Sequence, residues 1–158
     1  MQRSLVGSEM CIRDRFFTGF SRFSSDIQQT TEKALVDKQK QLLEMLSLVD
    51  DAEKVLTSKT DLNEFGRLLD YTWKLKRGIS NRISTDSIDG LYAKGIAAGA
   101  LGGKLLGAGG GGFLLFYVEP DKQEAVHKAM EELLYVPFEF ENSGTRVIHY
   151  TPETYEKR

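Results

Sequence analysis

The sequence predicts an α+β fold in which an antiparallel sheet carries its helices on one face. Long segments with apolar residues at helical spacing alternate with short apolar segments that come in turn-linked pairs. No internal repeat or low-complexity linker interrupts residues 16–150. At 158 residues, the chain is long enough for one domain with a proper core.

Three helices are predicted in the first two thirds of the chain. Each opens on polar residues that can cap the first turn, and each carries apolar residues three or four positions apart. Asp61 and Glu64 form a capping-box candidate for the second helix, and Thr85 lies among the capping residues of the third. The three predicted helices cover residues 26–49, 61–77 and 86–98.

The strands are predicted around these helices. Residues 16–20 are aromatic and broken by Gly19, which predicts a strand and its exit. Two more strands flank a glycine run, and Pro120 then begins a helix that extends to about residue 134. Alternating residues predict two last strands, at 136–140 and 146–150.

The glycine run is the most informative feature of the sequence. Five glycines fall within the six positions from Gly107 to Gly112, although a tight hairpin needs only two central residues. Each glycine costs roughly 0.5–1 kcal/mol relative to alanine, so the five together cost about 2.5–5 kcal/mol, a large part of a small domain's net stability. We therefore expect the loop to serve the close approach of backbone N–H groups to an anion such as phosphate.

Three common phosphate motifs do not fit this loop. Gly107, Gly109 and Gly112 match GxGxxG, but a strand rather than a helix follows them. A Walker A loop requires Ser or Thr after its lysine, whereas Leu105 follows Lys104. Protein kinases also place a glycine loop between strands, but the chain has no HRD or DFG motif and is too short.

Composition and charge exclude several classes of partner. The net charge is −2 and no basic block is present, so we expect no nucleic-acid partner. Residues 95–118 are poor in charge, but nine glycines and Lys104 argue against a membrane span. Cys11 is the only cysteine, which excludes an intrachain disulfide and a cysteine-based zinc site and is typical of a cytoplasmic protein.

The first fifteen residues differ from the rest of the chain. Residues 1–15 show no helical or strand period and no signal-peptide core. Their sequence looks like translated sequencing-adapter read-through, and the alternative is a disordered natural tail. We therefore expect a foreign or disordered tail over residues 1–15, one domain over residues 16–150, and a frayed tail over residues 151–158.

The segment around the glycine loop resembles a known family. Residues 99–113 are GALGGKLLGAGGGGF, and Ile88-Asp89 and Leu91-Tyr92 precede them. This pattern resembles the third motif of the GHMP small-molecule kinases, which act on galactose, homoserine, mevalonate and phosphomevalonate. It is most similar to the sugar-phosphate branch of that family, the D-glycero-D-manno-heptose 7-phosphate kinases. The likeness runs from about residue 16 to residue 148.

The resemblance implies that this chain is the ferredoxin-like C-terminal domain of a two-domain kinase. In the family, the N-terminal domain carries a glycine-serine phosphate loop, the catalytic Asp and the residues that hold Mg²⁺, and none of these motifs occurs here. We therefore expect no catalytic residue and no metal ligand in this chain. ATP and Mg²⁺ would be held mainly by the missing N-terminal domain, in cis, and the substrate would be a sugar phosphate. The fragment alone would be inactive.

The resemblance also implies which residues lie in the cleft between the two domains. The loop residues would shape the nucleotide-phosphate and substrate site: Gly107, Ala108, Gly109, Gly110, Gly111 and Gly112. A Thr-Gly-x-x-Arg segment occurs near the cleft in the family, which makes Thr18, Gly19 and Arg22 substrate-binding candidates, together with Lys104. For Arg22 and Lys104 the alternative is an ordinary solvated side chain.

The remaining polar and aromatic candidates have plainer interpretations. His127 and His149 lack an acidic or cysteine partner at ligand spacing, so we expect both to be surface residues. Trp73 and Tyr92 lie on apolar helical faces and are expected in the core.

Two other functions stay open at the level of sequence. One is a non-catalytic ligand-binding or regulatory domain with the same fold, because a fold alone does not determine function. The other is an interaction domain that uses the helix over residues 26–49, in which case an apolar face of that helix would be exposed.

Overall fold

The computed structural model describes residues 13–20, 38–107 and 109–138. These residues form four strands, four α-helices and one short 3₁₀ turn at Pro120–Lys122. In chain order they are β1 (Arg13–Phe17), α1 (Gln39–Thr57), α2 (Asn63–Arg77), α3 (Asp86–Ala97), β2 (Gly102–Leu106), β3 (Phe113–Tyr117), α4 (Gln123–Ala129) and β4 (Leu134–Tyr135).

The four strands form one antiparallel sheet in the order β2-β3-β1-β4. The glycine loop joins β2 to β3 as a hairpin, with Leu106 opposite Phe113. β1 lies in the interior of the sheet, where Phe16 pairs with Leu114 on one side and with Tyr135 on the other. This order, with helices between β1 and β2 and between β3 and β4, is the split βαβ arrangement of ferredoxin-like folds. The predicted α+β class is confirmed.

One face of the sheet forms the core together with the helices. Phe16, Leu105 and Leu114 are almost fully buried. On the same face, the Phe116 ring stacks on Tyr92 of α3 at 5.7 Å, and α4 contributes Val126. α2 lies alongside β2, and α1 packs on α2. Burying this apolar surface is the main source of the fold's stability.

Two helices begin and end close to the predicted positions. α2 covers Asn63–Arg77, against a prediction of 61–77. α3 covers Asp86–Ala97, and the Thr85 side chain accepts a hydrogen bond from the Ile88 N–H, as a cap should. The capping box predicted for α2 is absent, since the Glu64 carboxylate pairs with Arg67 and the Asp61 carboxylate accepts from the Asn63 N–H.

Other boundaries differ from the prediction. α1 extends to Thr57 rather than residue 49, because the helix continues through a charged stretch to Val55, which is buried against the protein. α4 ends at Ala129, five residues early, because the chain turns at Met130 and then runs out to pair with β1. The strand beside β1 is therefore Leu134–Tyr135, and residues 136–138 have no regular structure where a strand was predicted.

β1 also begins earlier than the expected domain boundary at residue 16. Arg13, Asp14 and Arg15 pair with β3, and Asp14 is buried. A strand in the interior of the sheet thus includes three of the residues expected to form a tail. The predictions for residues 26–37, 139–140 and 146–150, and for the tails over residues 1–12 and 151–158, lie outside the described residues.

Among the helices of the described ranges, none combines the length and the apolar character that crossing a membrane requires.

Candidate functional site

The glycine loop is held on both sides by backbone hydrogen bonds to distant parts of the chain. On one side, the Gly110 N–H donates to the carbonyl of Ile83 at 2.9 Å. On the other side, the Gly112 N–H donates to the carbonyl of Phe20 at 2.9 Å. The Gly112 carbonyl in turn accepts from the N–H of Thr18 at 2.9 Å and from its hydroxyl at 2.8 Å. The loop is therefore fixed between the residues that follow β1 and those that precede α3.

Close packing explains why glycine is needed in the middle of the loop. Gly109 has a φ of +118°, and a Cβ atom there would lie 2.9 Å from the Cα of Ile83. A Cβ atom on Gly111 would overlap the carbonyl oxygen of Phe20. Close approach was predicted, but here the partner is the protein's own backbone. The N–H groups of Gly110 and Gly112 are also used by protein carbonyls, so they are not free for an anion.

A network of polar side chains supports the Ile83 side of the loop. The Asp89 carboxylate, in the first turn of α3, accepts from the Arg77 guanidinium at 2.8 Å and from the Ser84 hydroxyl at 2.6 Å. This links the end of α2 to the start of α3 across the turn that contains Ile83. The sequence did not predict this network. Asp89 and Arg77 belong to different helices, and their separation along the chain does not indicate a contact.

Two lysines lie at the start of the loop. Lys104 is half-buried on β2, three residues before Gly107. The Lys76 ammonium, from the last turn of α2, lies 3.4 Å from the carbonyl oxygen of Gly107. Burial lowers the pKa of Lys76, and repulsion from the nearby Lys104 charge lowers it further. Lys104 was a candidate from the sequence, whereas Lys76 was not, since a lysine in the last turn of a helix is common.

The structure brings together some of the predicted substrate-binding residues. Thr18 is buried and holds the end of the loop through its hydroxyl, and Gly19 follows it, exposed, with a φ of +75°. Lys104 lies on the strand that leads into the same loop. Arg22 and Ala108 lie outside the described residues.

His127 is partly exposed, with 40% of its side chain accessible, as expected of a surface residue, but it has an acidic partner that was not predicted. Its Nε2 lies 2.9 Å from Oδ1 of Asp14, and its ring packs against Phe16 and Tyr135 at 5.6 and 4.5 Å. The pair could not be found from spacing, because 113 residues separate its members. His149 lies outside the described residues. Trp73 and Tyr92 are buried, as predicted.

The described part of the chain offers no group of three or more His, Cys, Asp or Glu side chains that could hold a metal ion. Lys76 and Lys104, which lie beside the loop and have no salt-bridge partner among the described residues, are cations. Their positive charge suits an anion.

The family described as GHMP kinases C terminal matches residues 48–136, which is more than half of the chain and includes the whole loop and both lysines. The chain belongs to this family. The resemblance predicted from the glycine-loop motif is confirmed.

Sequence relatives of this GHMP kinase domain are themselves kinases. It is 33% identical over 149 residues to a D-glycero-alpha-D-manno-heptose 7-phosphate kinase from Campylobacter jejuni, and that alignment covers 91% of this chain but 44% of the relative. It is 36% identical over 89 residues to a mevalonate kinase from Pyrococcus abyssi, covering 55% of this chain and 26% of the relative. The chain thus spans less than half the length of the curated relatives it matches.

Solved structures show the same fold. The mevalonate kinase of Methanococcus jannaschii matches with a TM-score of 0.68 over 85% of this chain and 42% of that chain, at 21% identity. The mevalonate kinase of L. major, solved with R-mevalonate, matches with a TM-score of 0.65 over 76% of this chain and 37% of that chain, at 23% identity. At these identities the likeness concerns the fold.

Proposed function

We propose that this GHMP kinase domain is the C-terminal half of an ATP-dependent kinase that phosphorylates a sugar phosphate, with heptose 7-phosphate as its substrate. In this proposal the domain supplies the glycine loop as one wall of the nucleotide and substrate cleft. The proposal assigns most of the binding of ATP and Mg²⁺ to an N-terminal half, and the limited coverage of the heptose 7-phosphate kinase, 44% of its length, supports the existence of such a half. The domain alone is then inactive.

The observation that supports this proposal is the fixed geometry of the glycine loop. Phosphoryl transfer depends mainly on positioning and on stabilising charge, so a kinase gains from a loop whose geometry is set before the ligand arrives. Residues 109–112 of the loop have this property, because backbone bonds to Ile83 and to Phe20 hold them from both sides. The 33% identity to a heptose 7-phosphate kinase supports the choice of substrate.

The residues present here fit only part of the ligand set. Lys76 and Lys104 suit the phosphoryl oxygens of ATP or of a sugar phosphate. In this proposal, the Mg²⁺ ligands belong to the other half. ATP would supply the phosphoryl group that is transferred, and the role of this chain is to bind and orient.

A fusion tests the proposal. The N-terminal part of the Campylobacter jejuni kinase that this chain does not match is joined to this chain and assayed with ATP, Mg²⁺ and D-glycero-D-manno-heptose 7-phosphate. We expect phosphorylation by the fusion and none by this chain alone. Activity of this chain alone contradicts the assignment as a half. Inactivity of a fusion that melts cooperatively and binds ATP contradicts the contribution to catalysis.

Two glycine variants of the fusion separate the loop from the fold. Gly109→Val would force the loop away from Ile83, so we expect a loss of kcat/KM of about a hundredfold, the scale of a displacement near 1 Å. Gly90→Ala is the matched control, because a Cβ atom there meets nothing within 4 Å and the helix tolerates it. A Gly109→Val fusion with normal kcat/KM contradicts the role of the loop.

A further inference from the structure

The peptide group between Ile83 and Ser84 is anchored at both ends. Its carbonyl oxygen accepts from the Gly110 N–H at 2.9 Å, which ties the glycine loop to this turn. At one end, the Ile83 side chain is buried in the core. At the other end, the Ser84 hydroxyl donates to Oδ1 of Asp89 at 2.6 Å. A movement of the oxygen that receives the loop would therefore disturb at least one of these two contacts.

Asp89 is held in turn by Arg77. Nη1 of Arg77 donates to the same Oδ1 at 2.8 Å, so one carboxylate oxygen joins the last turn of α2 to the turn before α3. The guanidinium carbon of Arg77 lies 6.0 Å from the ring centres of Trp73 and Tyr92, both of which are buried. A cation packed against the core thus fixes the carboxylate that holds Ser84.

The turn and the glycine loop are in direct contact. A Cβ atom on Gly109 would lie 2.9 Å from both the Cα atom and the carbonyl oxygen of Ile83, so the two backbones already touch. A shift of the Ile83 carbonyl would therefore move the middle of the loop with it. Since phosphoryl transfer depends mainly on positioning, a displacement near 1 Å is enough to slow such a reaction about a hundredfold.

We propose that Arg77, Asp89 and Ser84 are positioning residues for the glycine loop. They hold the Ile83 carbonyl in place, and through it the middle of the loop, and they act on the reaction through the loop rather than by touching the substrate. Their role in the reaction rests on the proposed function. Their effect on the loop itself does not, and it can be measured in this chain.

Amide hydrogen exchange of the whole chain tests the effect on the loop. The Gly110 N–H bonds to the Ile83 carbonyl, on the side of the network. The Gly112 N–H bonds to the Phe20 carbonyl, on the other side of the loop. We expect Asp89→Ala to speed exchange at Gly110 about tenfold, the scale of two hydrogen bonds to a partly exposed carboxylate, and to leave Gly112 unchanged. A general loss of stability would speed exchange at both amides alike.

Asp86→Ala is the matched control, because Asp86 is an exposed carboxylate in the same first turn of α3. Both carboxylates interact with the helix dipole, whereas the bond to Ser84 belongs to Asp89. Asp86→Ala should leave exchange at Gly110 unchanged. Asp89→Asn should retain most of the protection, because both bonds of Asp89 use one oxygen, which the amide can keep. The proposal is overturned if Gly110 responds no more than Gly112, or if Asp86→Ala acts as strongly as Asp89→Ala.

A double variant of the active fusion tests the role in the reaction. Asp89→Ala should lower kcat/KM about tenfold, less than the hundredfold expected of Gly109→Val, because it releases one anchor of the loop without forcing the loop away. If both substitutions act by displacing the loop, the double variant should lose no more than Gly109→Val alone. Independent effects would instead multiply to about a thousandfold, and that result overturns the positioning role.

The two measurements separate the network from the proposed function. Faster exchange at Gly110 with a folded but inactive fusion would mean that the proposed function fails while the effect on the loop stands. Normal kcat/KM of Asp89→Ala in an active fusion overturns the role in the reaction. Cooperative unfolding of each variant in urea shows that a loss of activity is not a loss of fold. Ser84→Ala, which removes one of the two bonds and no charge, gives the same comparison if Asp89→Ala does not fold.

Discussion

Asp14 shows how a single buried charge affects this domain. It lies in β1 with a residue exposure of 1%, and its Oδ2 has no hydrogen-bond partner. Burial raises the pKa of the Asp14 carboxyl, and the hydrogen bond and charge of His127 lower it by less. The folded protein therefore binds the Asp14 proton more tightly than the unfolded chain does. The resulting stability is complete below the ordinary pKa of 3.8 and is lost as the pH rises through the raised value.

Asp14→Asn should stabilise the domain at neutral pH. The amide can keep a hydrogen bond to His127 but carries no charge, so we expect a gain in the free energy of unfolding of about 1–2 kcal/mol at pH 7. The gain should shrink as the pH falls below 3.8, where Asp14 becomes protonated in both states. Urea unfolding at several pH values measures it, with exposed Asp50→Asn as control. A difference that does not change with pH contradicts this account.

At the scale of elements, the contact of α2 with β2 depends on two glycines. Gly66 and Gly102 face each other, and a Cβ atom on Gly102 would overlap the Gly66 carbonyl oxygen. The absence of side chains lets the helix lie against the strand. This contact sets the position of the last turn of α2, and hence of Lys76, beside the loop.

Gly102→Ala should therefore destabilise the domain strongly. The backbone of α2 must move to accept the methyl group, and we expect a loss of at least about 2 kcal/mol, within the range of overpacked cores. Gly90→Ala, in the interior of α3 with open space around it, should instead stabilise by about 0.5–1 kcal/mol. Thermal or urea unfolding of the pair provides the comparison. Equal effects of the two substitutions would contradict the close contact.

At the scale of the whole molecule, an apolar stripe on α1 is exposed. Leu43, Leu46 and Val49 are 58%, 65% and 60% exposed, while the neighbouring Leu42 and Met45 pack against the core. Antiparallel pairing of two α1 helices about Leu46 would bury this stripe. It would also bring the turn that carries Lys40 opposite the acidic turn of residues 50–53.

We therefore expect the chain to self-associate through α1. Leu46→Glu places a charge in the centre of the stripe, and sedimentation velocity over a range of concentrations should show a lower apparent mass than for the unaltered chain. The fold should persist, because this side chain is mostly exposed. Ser47→Ala, exposed beside Leu46, is the control. A chain that is monomeric at all concentrations contradicts the expectation.

Much of the architecture could be predicted because its signals are local. The capping Thr85 and the apolar spacing around Trp73 located two helices, and the glycine run located the hairpin. β4 was misplaced because its two residues, Leu134 and Tyr135, are both apolar and so show no alternation. The end of α1 was misplaced because its last buried residue, Val55, follows a charged stretch.

The site was predictable to a smaller extent. The loop could be found because its sequence is unusual. Lys104 could be found because it lies close to the loop in the sequence. Lys76 could not, because its proximity to Gly107 arises only when α2 packs along β2, 31 residues away in sequence. The role of Thr18 in holding the loop likewise depends on a contact across 94 residues.

The position of β1 in the sheet has a consequence for folding kinetics. The β2–β3 hairpin can close early, because few residues separate its strands. The pairing of β1 forms later, because its partners Phe113–Tyr117 and Leu134–Tyr135 lie about a hundred residues downstream. Closing so long a loop is slow. Among the described strands, β1 is thus the first to be synthesised and the last that can complete its pairing. Until then, the loop lacks the bonds from Thr18 and Phe20 that fix one of its sides.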